Sequence, residues 1–480
     1  MALVYWISYS FVIPLGLVTV SEEKMNRRDF VKVLGAGVIG LIVGGAAGYV
    51  AGKSGAKTKT VTKTVGGGAS VATVTKTVAG GAKIPGKPLK IGYMYFMSGP
   101  FGTYGKMASA ALEIARDEIN SMGGILGRKI VFTSKDEADR QHVIDNIVKM
   151  VQNEGAEILI GIDSSGDSLK LIKTIEQELQ VPLIVTHAAT PKLTECAKRK
   201  YIFRIDMYEE PIDLAAAKLV AENYPDAKRV ASIGPDYAYG WDSWAVFSKK
   251  LKELMPGVEL LEPMYVKLGT SDYTSYIDKM ISMKPDIVFS SLWGGDAATF
   301  FKQAVAKGLF SSIKAYINPM LGATDTLKAI GNSNVPSKGA DIWGSGRYWF
   351  LYPPHNVYTL NKRFVEKFKA KTGEPPPYVA GTSYTALYAV KYAIERAFVN
   401  TGKWPDVDEF VKAMEGLTVP GPMGPVYIRP EDHQGMYYVY WGKLVRGDTK
   451  GFDFPILDKL LIYDFGEIFP PPLTTLVKCS

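Results

Sequence analysis

The chain has 480 residues, with 56 Lys and Arg against 48 Asp and Glu, a formal charge of +8. An apolar fraction of 47% with 22% charged residues excludes wholesale disorder, and 48 Gly with 28 Pro but no Gly-X-Y period excludes a collagen. At about 100 to 200 residues per domain the length implies two or three domains, and the two cysteines, Cys196 and Cys479, exclude a disulfide framework, a four-cysteine zinc site and an iron–sulfur cluster while leaving a single bridge open.

The charge is concentrated at one end. Residues 1–83 carry ten Lys/Arg and three Asp/Glu, so the other 397 are nearly neutral at +1. A nucleic-acid surface needs its basic excess on the folded domain, and no nucleic-acid partner is expected. Met25-Asn26-Arg27-Arg28-Asp29-Phe30-Val31-Lys32 precedes an uncharged stretch over 33–51. A positive segment before an apolar one is an export signal, and the paired arginines point to the twin-arginine route. Gly35-Ala36-Gly37-Val38-Ile39-Gly40 spells GxGxxG, but the stretch after it is rich in Lys, Thr and Gly. It lacks the strand, helix and acidic residue of a dinucleotide site and reads as part of the apolar segment. Translation is read as starting at Met25, with 1–24 an upstream extension and 25–52 a signal or a membrane anchor. Residues 53–87 read as an exposed stalk, in which Thr60-Val-Thr-Lys-Thr-Val65 recurs as Thr73-Val-Thr-Lys-Thr-Val78 around Gly66-Gly-Gly68.

From Pro88 onward short β-branched runs alternate with amphipathic segments. Strands are predicted over 89–95, 129–133, 157–161, 183–186, 201–205, 229–234, 260–266 and 287–292. Helices are predicted between them over 106–121, 140–152, 169–179, 212–223, 243–254, 273–283 and 297–307, from apolar residues spaced three and four apart. The pattern is α/β and too long for one sheet. It implies two Rossmann-like lobes with parallel sheets, and a ligand cleft at the carboxyl ends of the strands. The four histidines, His142, His187, His355 and His433, form no HExxH or Cys-His spacing, and neither GxSxG nor a Walker lysine loop is present. An enzyme is therefore not expected, and no metal or cofactor is implied.

The loop residues, taken in order, carry a resemblance. Ile91-Gly-Tyr-Met-Tyr-Phe-Met-Ser-Gly-Pro-Phe-Gly-Thr-Tyr-Gly105, Ile119-Asn-Ser-Met-Gly-Gly-Ile-Leu-Gly-Arg-Lys129, His187-Ala-Ala-Thr-Pro-Lys-Leu-Thr194, Phe203-Arg204 and Pro235-Asp-Tyr-Ala-Tyr-Gly240 resemble the leucine/isoleucine/valine-binding family of ABC-transporter solute receptors, from about Pro88 to Gly442. The resemblance implies a type I periplasmic-binding fold: two lobes joined by three crossovers, closing on a small solute. Its partners would be an ABC permease and its ATPase subunits, its place extracytoplasmic, its state monomeric. Crossovers are expected near 205–208, 344–347 and 418–424, with 88–206 and 347–420 in the first lobe, 207–346 and 421–465 in the second, and 466–480 a tail. A ligand-sensing module that signals through a separate partner is the alternative reading.

The same resemblance implies ligand contacts. In the first lobe Ser164 and Ser165 precede a helix and serve as cap or anion donor, Ala188 and Thr190 match the family's ligand-contacting segment, and Tyr104 matches a cleft tyrosine. In the second lobe Tyr239 and Trp293 offer flat apolar area, and Asp296 begins a helix as contact or cap. The sequence departs from the family at Ile317-Asn-Pro-Met-Leu-Gly322, where Met320 stands in the position of the carboxylate that holds a ligand ammonium. An α-amino acid is therefore in doubt unless Asp296 or Asp325 substitutes. Relatives take amides, urea-like solutes and aromatic acids, and the aromatic run Trp343, Tyr348, Trp349, Phe350 and Tyr352, with Arg347, points to such ligands or to the packing of a crossover; the resemblance implies a small amino-acid-like, amide or carboxylated solute.

Overall fold

The computed structural model describes residues 84–99 and 101–479. The segments read above as an upstream extension, an export signal and all but the last residues of a stalk lie outside them. Among the described residues no helix is long and apolar enough to cross a membrane.

In the first lobe β1 (Leu89–Tyr95) pairs with β2 (Ile130–Asp136) on one side and β3 (Ile158–Gly161) on the other, and the sheet continues through β4 (Leu183–Val185) to β5 (Ile202–Arg204). Every pairing is parallel, and β3, β4 and β5 are buried throughout. Strands covered on both faces read as unbroken apolar runs, which is why these segments were visible in the sequence. Helices α1 (Gly102–Ser121), α2 (Val143–Val148) and α3 (Ser165–Lys173) make the connections. The last two run on into π-helical turns, Lys149–Asn153 and Thr174–Leu179, which complete the longer helices predicted there.

The second lobe repeats the plan. Strands β6 (Arg229–Pro235), β7 (Glu259–Leu260), β8 (Met264–Val266), β9 (Ile287–Ser290), β10 (Ala315–Asn318) and β11 (Asp341–Gly344) form a parallel sheet in the order β7-β6-β9-β10-β11, with β8 also on β6. Its helices are α4 (Glu209–Asn223), α5 (Ala238–Leu254), α6 (Thr274–Ser282), α7 (Gly294–Ala306) and α8 (Thr324–Ile330). The single strand predicted over 260–266 is two short ones, because Pro263 has no N–H with which to continue the ladder.

The chain then returns. Helices α9 (Thr359–Thr372) and α10 (Tyr378–Thr401) pack on α1, and α11 (Val407–Met414) packs on α10. A small antiparallel sheet of β12 (Thr418–Gly421), β13 (Gly424–Ile428) and β14 (Gly435–Met436) lies against α10, and Gln434 bridges to Arg204 at the edge of the first sheet. Only then does β15 (Val439–Val445) enter the second sheet, antiparallel to β11, with β16 (Ile456–Tyr463) outside it. The third crossover thus lies between Met436 and Val439, later than the 418–424 expected. The segment 418–424 is a hairpin whose two-residue turn joins the paired Gly421 and Gly424.

Cys196 and Cys479, left open by the sequence, form a disulfide across 283 residues. Before it, the tail runs through α12 (Phe465–Ile468), its Pro470 carbonyl accepts from Arg429 Nη1 at 2.7 Å, and Glu210 at the start of α4 accepts from Thr475 Oγ1 at 2.6 Å and the Leu476 N–H at 2.7 Å. The C-terminus is thereby fastened both to a second-lobe helix and, through Cys196, to the first lobe.

Candidate functional site

Strand order reverses beside β1 in one sheet and beside β6 in the other, and loops that leave neighbouring strands in opposite directions open a crevice at their carboxyl ends. The two crevices face each other and enclose a cavity of about 430 Å³, within the range of small-molecule sites. Each lobe presents a tyrosine to it in the same way. Gly105 and Gly240 lie in the first turns of α1 and α5, where a Cβ would collide with the carbonyl oxygens of Phe96 and Pro235. Only glycine lets those helices start so close to the strand ends, and Tyr104 and Tyr239, one residue earlier, line the cavity.

The first-lobe wall presents hydrogen-bond donors at the start of α3. Glu137 accepts the N–H groups of Asp163 and Ser164, both at 2.7 Å, which leaves those of Ser165 and Gly166 at the positive end of α3 for a ligand. Ser164 caps the helix by accepting the Asp167 N–H at 3.3 Å, and Arg140 Nη2 lies 3.3 Å from the same hydroxyl. Ser165 Oγ accepts the Ala189 N–H at 3.2 Å and Thr190 Oγ1 the Lys192 N–H at 3.3 Å, so each hydroxyl keeps its proton to donate. Arg204, fully buried, holds this loop through the carbonyls of Thr190 at 2.7 Å and Ala188 at 3.3 Å.

Asp163 is the one carboxylate among the lining residues, and it is occupied: it accepts the Phe96 N–H at 2.8 Å and lies 2.8 Å from His187 Nδ1, whose Nε2 is 2.6 Å from the Tyr378 hydroxyl. The opposite wall is aromatic. Trp293 stacks on Phe101 of the first lobe with ring centres 4.6 Å apart and donates Nε1–H to the Tyr237 hydroxyl at 3.1 Å. Tyr104 donates to Asp325 Oδ2 at 2.7 Å, and Lys328 pairs with Glu374, so the lobes touch across the cleft in a closed arrangement. Burial, and then the Asp325 charge, hold the Tyr104 hydroxyl far above the usual phenol range, which keeps it a donor.

A family model described as periplasmic binding protein matches residues 88–449. The chain belongs to the periplasmic binding protein family. A Leu/Ile/Val/Thr-binding protein of Salmonella typhimurium is 25% identical over 371 residues, 77% of this chain and 91% of that one. The fold is also that of an ABC-transporter solute-binding protein from R. palustris in complex with 4-hydroxybenzoate, with a TM-score of 0.67 at 20% identity over 80% of this chain and 98% of that one. A leucine-binding protein from Thermotoga maritima superimposes with a TM-score of 0.65 at 20% identity, covering 78% and 98% of the two chains.

Of the residues the sequence singled out in this binding protein, Tyr104, Ser164, Ser165, Thr190, Tyr239 and Trp293 line the cavity. Two do not. Ala188 is one residue out of register: it is buried, its N–H bonds to the Ile162 carbonyl at 3.0 Å, and Ala189 takes the place at the wall. Asp296 accepts the Gly269 N–H at 2.9 Å in the first turn of α7, away from the cavity. Met320 does line it. Arg140, Asp163, His187, Tyr237, Arg347 and Tyr378 were not chosen, although Tyr237 lies inside a motif quoted above and Arg347 beside the aromatic run. Tyr378 had no local signal, since α10 brings it back from the return segment.

Beneath the cavity, Glu209 at the start of α4 is 3% exposed and neither carboxylate oxygen has a partner. Burial raises it from 4.5 to about 8, with Asp242 adding to the shift and Arg204 and Arg347 opposing it. The folded state therefore binds a proton that the unfolded state releases, and stability should fall as pH rises between those values, by up to about 1.4 kcal/mol per unit. Urea unfolding of Glu209→Gln from pH 5 to 8 should show a flatter dependence than the unaltered protein; identical slopes would place Glu209 in a solvated, unshifted state.

Proposed function

We propose that this binding protein is the extracytoplasmic receptor of an ABC importer and closes on a small apolar carboxylate that lacks an α-amino group, an aromatic acid fitting best. The observation that carries this is the donor set at the start of α3: the Ser165 and Gly166 N–H groups and the Ser165 and Thr190 hydroxyls stand on the wall, while the one lining carboxylate, Asp163, is already bonded and the guanidiniums of Arg140 and Arg347 are paired with Asp167 and Asp206. A ligand ammonium enclosed there without a partner would cost several kcal/mol. A carboxylate meets the Ser165 and Gly166 N–H groups and the Ser165 and Thr190 hydroxyls, and its apolar body lies against Phe101, Tyr239 and Trp293. Calorimetry with benzoate and with leucine tests the reading. Benzoate should bind more tightly, and Thr190→Val, which keeps the shape but removes the hydroxyl, should weaken it by roughly 1.5 to 3 kcal/mol. Tight leucine binding abolished by Asp325→Asn would instead make this an amino-acid receptor with a relocated carboxylate.

The reading includes delivery through the twin-arginine route and tethering by the N-terminal apolar segment, supported by the residues Arg27, Arg28 and 33–51. Arg27→Lys with Arg28→Lys should leave the protein inside the cell, as fractionation would show. Normal delivery of that variant would remove the assignment.

A further inference from the structure

The loop that leaves β2 is pinned to the start of α3. Glu137, fully buried, accepts the Asp163 and Ser164 N–H groups through its two oxygens, and three residues later Arg140 lines the cavity beside the same helix end. Arg140 Nη2 donates to Ser164 Oγ at 3.3 Å and stands 3.9 Å from the point that a Cβ on Gly166 would occupy. Since Gly166 carries no side chain, the gap between that nitrogen and the helix end is open. The ion pair of Arg140 leaves most of its donors unused. Its Nε lies 3.2 Å from Asp167 Oδ2, but that oxygen accepts no hydrogen bond among the described residues. Asp167 is fully buried and keeps a second cation, Lys170 Nζ, 2.7 Å from its other oxygen. The Arg140 side chain is 57% exposed, so its guanidinium shifts toward the cavity without stranding the Asp167 charge.

A carboxylate brought to this wall needs a cation. Asp163 and Asp167 flank the Ser165 and Gly166 N–H groups, and like charges in one site repel. Their field already shows on Glu137, whose carboxyl burial and then the Asp163 charge hold well above the usual range. His187 bonds to Asp163 and Lys170 to Asp167, which leaves Arg140 as the charge beside the ligand. We infer that Arg140 is a specificity-determining residue, whose guanidinium closes over the ligand carboxylate from the rim of the cavity. The inference rests on the carboxylate reading and adds the group by which the site selects an anion over a neutral amide of the same shape. The planar fork of the guanidinium meets both oxygens of a carboxylate in charge-assisted bonds, whereas an amide offers one acceptor and no charge.

Benzoate and benzamide share a shape and differ in charge at the end placed against α3, and calorimetry with the two tests the clamp. The unaltered protein should bind benzoate at least about tenfold more tightly than benzamide. Arg140→Gln should weaken benzoate about tenfold, bring the ratio to within about threefold and change benzamide by less than about threefold. Arg140→Lys, which keeps the charge without the fork, should fall between. A benzoate preference that survives Arg140→Gln overturns the clamp and leaves the carboxylate reading standing. Equal weakening of both ligands also overturns it, since a residue that only supports the helix end acts on the two alike. Benzamide binding as tightly as benzoate to the unaltered protein, or failure of both to bind, overturns the clamp and the carboxylate reading together.

Discussion

One buried ion pair joins all three connections between the lobes. Asp206 follows β5 on the first crossover and accepts from Arg347 on the second, while its other oxygen accepts the Tyr437 hydroxyl on the third at 3.0 Å. The Asp206 carbonyl also accepts from Gln434 Nε2 at 2.8 Å, and Gln434 Oε1 accepts from Arg204 Nε at 2.6 Å. Burial opposes both charges and raises the Asp206 carboxyl, against which Arg347 acts, while the Asp206 carboxylate raises the affinity of Arg347 for its proton. Removing either partner from such a pair strands a charge in the interior at about 3 to 5 kcal/mol, far more than the intact pair contributes. The hinge is thus fixed less by packing than by the need to keep Arg347 and Asp206 together.

That constraint places one end of the binding cavity on the hinge itself. The two lobes supply different walls, the N-terminus of α3 on one side and aromatic rings on the other. Closure brings them together through Tyr104 to Asp325 and Phe101 to Trp293. A ligand shifts an equilibrium only through contacts it makes better in one state than the other. Contacts to both walls exist only in the closed form. The disulfide-anchored tail adds a fourth, covalent connection over the first crossover, where Phe469 packs edge-on against Tyr208 at 5.9 Å.

The parallel sheets were legible because burial on both faces removes polar residues from a strand, whereas Tyr104 and Tyr239 were legible only through the resemblance of the motifs that contain them. What the sequence hid was set by long-range packing. The hairpin at 418–424 turns through Pro422 and Met423, which carry no hairpin signature, and its sheet reaches the first lobe only through Gln434 beside Arg204, over two hundred residues away. Ala188 and Ala189 are indistinguishable by type, and the bonds of the Ala188 N–H to Ile162, of its carbonyl to Arg204 and of the Ala189 N–H to Ser165 set which reaches the wall. Asp296 looks like a ligand carboxylate until the neighbouring loop delivers the Gly269 N–H to it. Arg347 stands among aromatic residues with nothing local to show that it would line the cleft.

The central claim is that a carboxylated solute is held between the α3 terminus and the hinge. A crystal structure of the protein grown with 4-hydroxybenzoate tests it most directly. The account predicts the carboxylate against the N–H groups of Ser165 and Gly166 and the Thr190 hydroxyl, with the ring between Tyr239 and Trp293. A ligand bound elsewhere, or one whose carboxylate sits among aromatic rings with the α3 terminus left to solvent, would contradict it.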